Sequence, residues 1–280
     1  MIFGWWRRWR RARLLRRPLD AGWVETLEAN FAQWRTLSPE ERDQLLAIAR
    51  VIEAEKAWLG GNGLTVTPAM RRLVSAQAAL LLLGHPEHCH YGNLHTVVIY
   101  PDGYHLPDGG PSPAGVAGGS RQVLGHARMG GPIVLSWKHA LSGARNGQDG
   151  RNLVFHEFAH KLDMLDGVVD GTPPIDCSAA ARQWFEVMSR EYEALRRAVG
   201  KGRATLVDAY GATNVAEFFA VGTEHFFEQP IALRGRHPAL YAALANFYGQ
   251  DPAARLGAKA AVRAGQPARP AGKRRGKGGH

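Results

Sequence analysis

The chain has 280 residues, 45% of them hydrophobic, and a formal net charge of +10. That is enough apolar material for one sizeable core, and no apolar run reaches the ~18–20 residues that span a bilayer. The two cysteines, Cys89 and Cys177, exclude a disulfide framework, so a reducing cytoplasm is the expected setting.

The charge sits at the ends. Residues 1–17 hold seven arginines and no acid, and residues 251–280 hold eight basic residues and one aspartate. Residues 18–250 are therefore left at −4. Specific nucleic-acid binding by this body is not expected, because such a domain carries the basic patch itself. The expected organisation is a basic Trp/Arg-rich arm over 1–17, a folded domain over 18–252, and a disordered Ala/Gly/Pro/Lys/Arg-rich tail over 253–280.

The opening MIFGWWRRWRRARLLRRP sets Trp5, Trp6 and Trp9 among arginines. Positive charge with no apolar segment behind it does not make a secretory signal. Two readings stand: weak contact of the arm with a membrane or nucleic acid, or an arm packed partly on the domain. A clear helix follows. Ser38 caps it, Pro39 suits its first turn, Glu41 completes a capping box, and Leu45, Ile48, Ala49 and Ile52 recur at helical spacing up to a stop at Gly60 and Gly61. Thr67 and Pro68 open a second helix that runs to Gly84.

The period then changes. Residues 94–101, 121–127 and 132–137 read as strands, with a long Gly/Pro-rich loop over 101–119. Between helix and strand, GHPEHCHYGNLH gathers His85, His88, Cys89, His90 and His95, but with no C-x-x-C or i,i+4 set these read as loop histidines rather than a metal tract. Helical patterns return in DGRNLVFHEFAHKLDML, in a long amphipathic segment ending near Gly200, and in two segments bounded by proline, NVAEFFAVGTEHFFEQP and HPALYAALANFYGQDP. Helices, then strands, then helices predict an α+β fold, mostly helical with a small mixed sheet.

The chemistry concentrates in NLVFHEFAHKLDMLDG, residues 152–167. His156 and His160 lie on one helical face, four apart, where both imidazoles reach a single zinc ion at about 2.0–2.1 Å. Glu157, about 100° round the helix, faces a water beside such an ion without having to ligate it, the place of a general base in metal-assisted hydrolysis. A third ligand must come from elsewhere, since no glycine and third histidine follow as in H-E-x-x-H-x-x-G-x-x-H. Glu217, a carboxylate in an apolar helical run, is the candidate; the competing reading is a capping box in which it reaches back to Asn214. Glu224, seven further on, is an alternative ligand or a partner of one. Tyr210 is a candidate oxyanion donor or a tyrosine satisfied locally. Asp163 either accepts from the outer nitrogen of a ligating histidine or caps the helix and pairs with a cation.

The blocks HEFAHKLDMLDG, DAYGATNVAEFFAV and GPIVLSW together resemble the Mlc titration factor A family of bacterial zinc metallopeptidases, over roughly residues 20–252. The resemblance implies a zincin-like core similar to the protease domain of anthrax lethal factor. It matches His156, His160 and Glu217 to the ligands of one zinc ion, Glu157 to the general base and Tyr210 to the transition-state tyrosine. It implies cytoplasmic, aminopeptidase-like cleavage of peptides and binding to a glucose-responsive repressor of the Mlc type. A bound peptide is expected to pair with an edge strand at 132–137. The rival is a non-catalytic regulatory module that sequesters a transcription factor and holds a structural zinc.

Overall fold

The computed structural model describes residues 2–85, 90–105, 122–123, 125–127, 130–175 and 178–257. Three helices come first, α1 (Ile2–Leu15), α2 (Gly22–Asn30) and α3 (Pro39–Glu55), then strand β1 (Ala57–Gly60) and helix α4 (Pro68–Leu80). Strands β2 (Thr96–Tyr100), β3 (Tyr104–His105), β4 (Gln122–Val123), β5 (Gly125–Ala127) and β6 (Ile133–Ser136) follow. The rest is helical: α5 (Trp137–Arg145), α6 (Leu153–Asp163), α7 (Ser178–Gly200), α8 (Val215–Glu228), α9 (Pro230–Arg236) and α10 (Pro238–Tyr248). The chain is α+β, mostly helical with a small sheet, as the sequence predicts.

The capping box of α3 forms as expected: Ser38 accepts from Glu41 N–H at 3.2 Å, and the Glu41 carboxylate accepts from Ser38 N–H at 2.8 Å. The helix is shorter than its pattern. It ends at Glu55, and residues 57–60 leave it to become β1. Pairing makes this strand, with Ala57 N–H donating to His95 O and Gly61 N–H to Ile99 O, both at 2.9 Å. Buried Lys56 fixes the corner by donating from Nζ to the carbonyls of Tyr91 and Leu94.

The main sheet has the order β1-β2-β6-β5; the first three strands are parallel and β5 is antiparallel to β6. Val97, Ile99, Ile133 and Leu135 are fully buried and join the sheet to the helical core. This order corrects one expectation. Strand 132–137 is not an edge, because β6 pairs with β2 on one side and β5 on the other. Among the described residues, the outer strand on that side is β5. Ser136 also ends the strand early, its hydroxyl capping α5, so Trp137 opens a helix.

The C-terminal boundary moves too. The helix over 252–257 carries residues 253–257 out of the expected disordered tail, with Pro252 and Ala253 buried. Arg255 donates to Glu41 from Nε and Nη2 at 3.0 and 2.7 Å, which ties this segment to the start of α3. The remaining tail lies outside the described residues, as do most of the 101–119 loop and both cysteines. No helix among the described residues is long and apolar enough to cross a membrane.

Candidate metal centre

Helix α6 starts at Asn152, whose side chain accepts from Phe155 N–H at 3.0 Å. Val154, Phe155, Phe158 and Ala159 are buried, and Phe155 packs on Phe227 of α8 with ring centroids 5.5 Å apart. Helix α8 is buried from Ala216 to Glu228 and lies along α6, while β5 and β6 also touch α6. Two carboxylates of α8 fix where α6 begins. Glu224 accepts from Asn152 N–H at 2.6 Å, and Glu228 accepts from Gly150 and Arg151 N–H at 3.1 and 3.0 Å.

This packing brings His156, His160 and Glu217 together. The two Nε2 atoms are 3.2 Å apart, and Glu217 Oε2 lies 3.0 Å from His156 Nε2 and 3.5 Å from His160 Nε2. Ligands about 2.0–2.1 Å from a tetrahedral ion lie about 3.3 Å from one another, so the triangle has the right size. Glu217 Oε2 is buried and in no properly directed hydrogen bond despite these short distances. The three atoms lie within 4.8 Å of one another, and two imidazoles with one carboxylate form a donor set that a zinc-like ion takes. The residues fit a metal.

The alternatives left open by the sequence resolve differently. Asn214 does cap α8, accepting from Glu217 N–H at 2.9 Å, but the Glu217 carboxylate turns towards the histidines. Glu224 lies on the other side of His156, with its Oε1 accepting from Nδ1 at 2.8 Å. It therefore orients the imidazole from behind and is not a member of the triangle. Asp163 is fully buried and accepts from Gly171 N–H at 3.0 Å. Its other oxygen and His160 Nδ1 both lack a hydrogen-bond partner, so no bond joins the two. Gly171 has φ of 75°, and a Cβ there would come within 2.4 Å of Val215 O, so the loop tied down by Asp163 passes tightly over the start of α8.

Electrostatics follow from burial and crowding. Burial opposes charge on His156, yet the carboxylates of Glu217 and Glu224 outweigh it and hold the imidazole well above its ordinary range. Burial pushes Glu217 up, but the two histidines more than reverse this and bring it below the ordinary carboxylate range. Glu157 is 4% exposed, with Oε2 unpartnered. Burial raises its carboxyl to about 8, so it holds a proton readily.

Tyr210 lies on a 3-10 turn, Ala209–Ala212, that packs against α8. Asp208 shapes the turn by accepting from Tyr210 N–H at 2.9 Å and fastens it to the approach to α6 through Arg151 at 2.8 Å. Tyr210 is 47% exposed, with its ring centroid 6.0 Å from that of His156.

The other histidines scatter. His85 Nε2 meets Phe247 O, His90 Nδ1 accepts from Arg11, and His95 is exposed. His88 and Cys89 lie outside the described residues. Among the described residues only His156, His160 and Glu217 form a group able to hold a metal.

Similarity to known proteins agrees with this geometry. Mlc titration factor A of Edwardsiella ictaluri (strain 93-146) is 36% identical over 227 residues, covering 79% of this chain and 84% of the relative. The protein of the same name from Yersinia pestis (strain Pestoides F) is 33% identical over 241 residues, 84% of this chain and 87% of the relative. An uncharacterised protein of Synechocystis sp. is 33% identical over 250 residues, 88% and 90% of the two chains. Residues 6–249 match the family described as glucose-regulated metallo-peptidase M90. With the match running through nearly all of the described residues and a metal-sized donor triangle at its centre, the chain belongs to the M90 metallopeptidase family.

Proposed function

We propose that the chain is a zinc-dependent peptidase with a zincin-like core, in which His156, His160 and Glu217 hold one zinc ion. The observation that carries this reading is the convergence of three donor atoms, on partly buried His156 and buried His160 and Glu217, next to the buried Glu157 with its unpartnered Oε2. Three donors among the described residues leave a four-coordinate ion one position for water or substrate, which favours catalysis over a closed structural site. The bound ion supplies Lewis-acid activation of a water molecule and of the scissile carbonyl. Glu157 takes the proton from the attacking water and passes it to the leaving amine, and its raised affinity for a proton suits both steps. Tyr210 donates its hydroxyl to the oxyanion. Glu224 keeps the Nδ1 proton on His156, so that Nε2 faces the ion as a lone pair.

The peptide is proposed to add to the side of β5 that has no strand partner among the described residues, β5 lying against α6, rather than to β6. An aminopeptidase-like preference and a cytoplasmic setting follow from the family resemblance. The name carried by the relatives supports a second role, binding to a repressor of the Mlc type, which is compatible with catalysis.

Metal analysis and a panel of chromogenic peptides, run in parallel on wild type and Glu157→Gln, test the reading. The expected result is one zinc per chain in both proteins and hydrolysis in the wild type alone. Equal rates would refute the general-base role; a zinc-free wild type that still cleaves would refute the metal centre.

A further inference from the structure

Helix α1 contributes nothing to the metal centre, yet its surface is unusual. Trp5, Trp6 and Trp9 are 65%, 49% and 48% exposed, and no acid interrupts residues 1–17. We propose that α1 is a docking surface for an anionic lipid membrane.

The first support is the way the helix is mounted. Arg11 donates to both oxygens of Glu55 at 2.7 and 2.8 Å, and Arg50 donates to the carbonyls of Leu14 and Arg17 at 3.0 and 2.8 Å. Within residues 4–15 only Arg11 and Leu14 are even partly buried. At about 100° per residue these two point to one side of the helix, while the three tryptophans share an arc of about 100° on the opposite side, with Arg13 among them. The helix is pinned by its polar side and turns its aromatic side outward. A globular protein leaves three large apolar rings in solvent on one arc when something else covers them.

The second support is charge. Of the seven arginines in residues 1–17, only Arg11 has a carboxylate partner among the described residues. Arg10 stands over the Trp6 ring at 4.7 Å and Arg13 near the Trp9 ring at 5.7 Å, so cation and indole present together. Indoles settle at the level of lipid headgroups, and arginines alongside them meet the phosphates. A bilayer meets the helix as a tangent plane and need touch nothing else. A nucleic-acid strand long enough to use these arginines would run on over residues 18–250, whose net charge of −4 repels it. Geometry and charge together select lipid.

The test is co-sedimentation of the full-length protein with vesicles of phosphatidylcholine alone and of phosphatidylcholine mixed with phosphatidylglycerol. Binding is expected to the mixed vesicles only, weakening as salt is raised. Two variants locate it: one combining Trp5→Ala, Trp6→Ala and Trp9→Ala, the other Arg7→Gln, Arg8→Gln, Arg10→Gln and Arg13→Gln. All seven side chains face solvent, so circular dichroism and melting should match wild type. Each variant is expected to bind at least about tenfold more weakly, since each arginine near an anionic surface is worth about fivefold. Wild-type affinity in both variants would place the binding elsewhere in the chain and overturn the proposal. So would tighter binding to a single-stranded oligonucleotide than to the mixed vesicles at the same salt.

Discussion

The carboxylate of Glu224 accepts a hydrogen bond from Nδ1 of His156 at 2.8 Å, while Glu217, seven residues earlier on the same helix, stands 3.0 Å from Nε2 of that ring. One imidazole is thus gripped between two carboxylates two helical turns apart. Glu224→Gln should leave the fold intact, because an amide oxygen can still accept from Asn152 N–H. It should weaken zinc binding by about 10–100-fold, as loss of the group behind a ligating histidine commonly does. Competition with a chromophoric chelator measures this, and unchanged affinity would mean that Glu224 only anchors backbone.

Tyr210 is 47% exposed and its backbone N–H donates to Asp208, so Tyr210→Phe, which keeps the ring and the backbone contact, should fold and bind metal as wild type does. Loss of one oxyanion donor lowers kcat by about 10²–10³. Steady-state kinetics should show the drop in kcat with KM little changed. A change confined to KM would make Tyr210 a substrate contact instead.

Glu228 predicts a pH dependence of stability. Burial, reinforced by neighbouring Asp149, raises its carboxyl from 4.5 to about 9. Between those values the folded chain keeps a proton that the unfolded chain has released, so this group costs stability as pH rises through about 4.5 to 9. Glu228→Gln still accepts from Gly150 and Arg151 N–H and has no proton to lose. Its melting temperature should fall less than that of wild type between pH 6 and pH 9, with a gain on the order of 1 kcal/mol at the upper end. Parallel melting curves for the two proteins would show that Glu228 does not titrate in this way.

The segment 252–257 should matter to stability although the sequence reads as tail from 253. A chain ending at Gly257 should melt with the full-length protein. One ending at Asp251 loses the buried Pro252 and Ala253 and the Arg255–Glu41 pair, and should be less stable by about 1–2 kcal/mol. Urea denaturation distinguishes the two truncations.

What the sequence made legible was local. The caps of α3 and α4, the helix carrying both histidines and the family resemblance all rest on short-range pattern, and each agrees with the structure or the comparisons. What it hid was pairing. Residues Ala57–Gly60 continue a helical pattern and become a strand only because β2 offers its edge. The interior place of β6 depends on β5, three residues of weak pattern lying before it in the chain. Helix α9 fell between two prolines and left too few residues for a period to show. At the centre, sequence named Glu217 and Glu224 together, but spacing of seven put both on one face and could not say which nitrogen of His156 each would meet.

Glu224 and Glu228 between them hold three consecutive backbone N–H groups, those of Gly150, Arg151 and Asn152, just ahead of α6. They act as a stop that prevents α6 from sliding along α8. The register of the two helices, and with it the spacing of His156, His160 and Glu217, thus rests on backbone contacts that use none of those three side chains. Stripping the metal with a chelator is therefore expected to leave α6 and α8 packed, a result that circular dichroism and reloading with zinc would check.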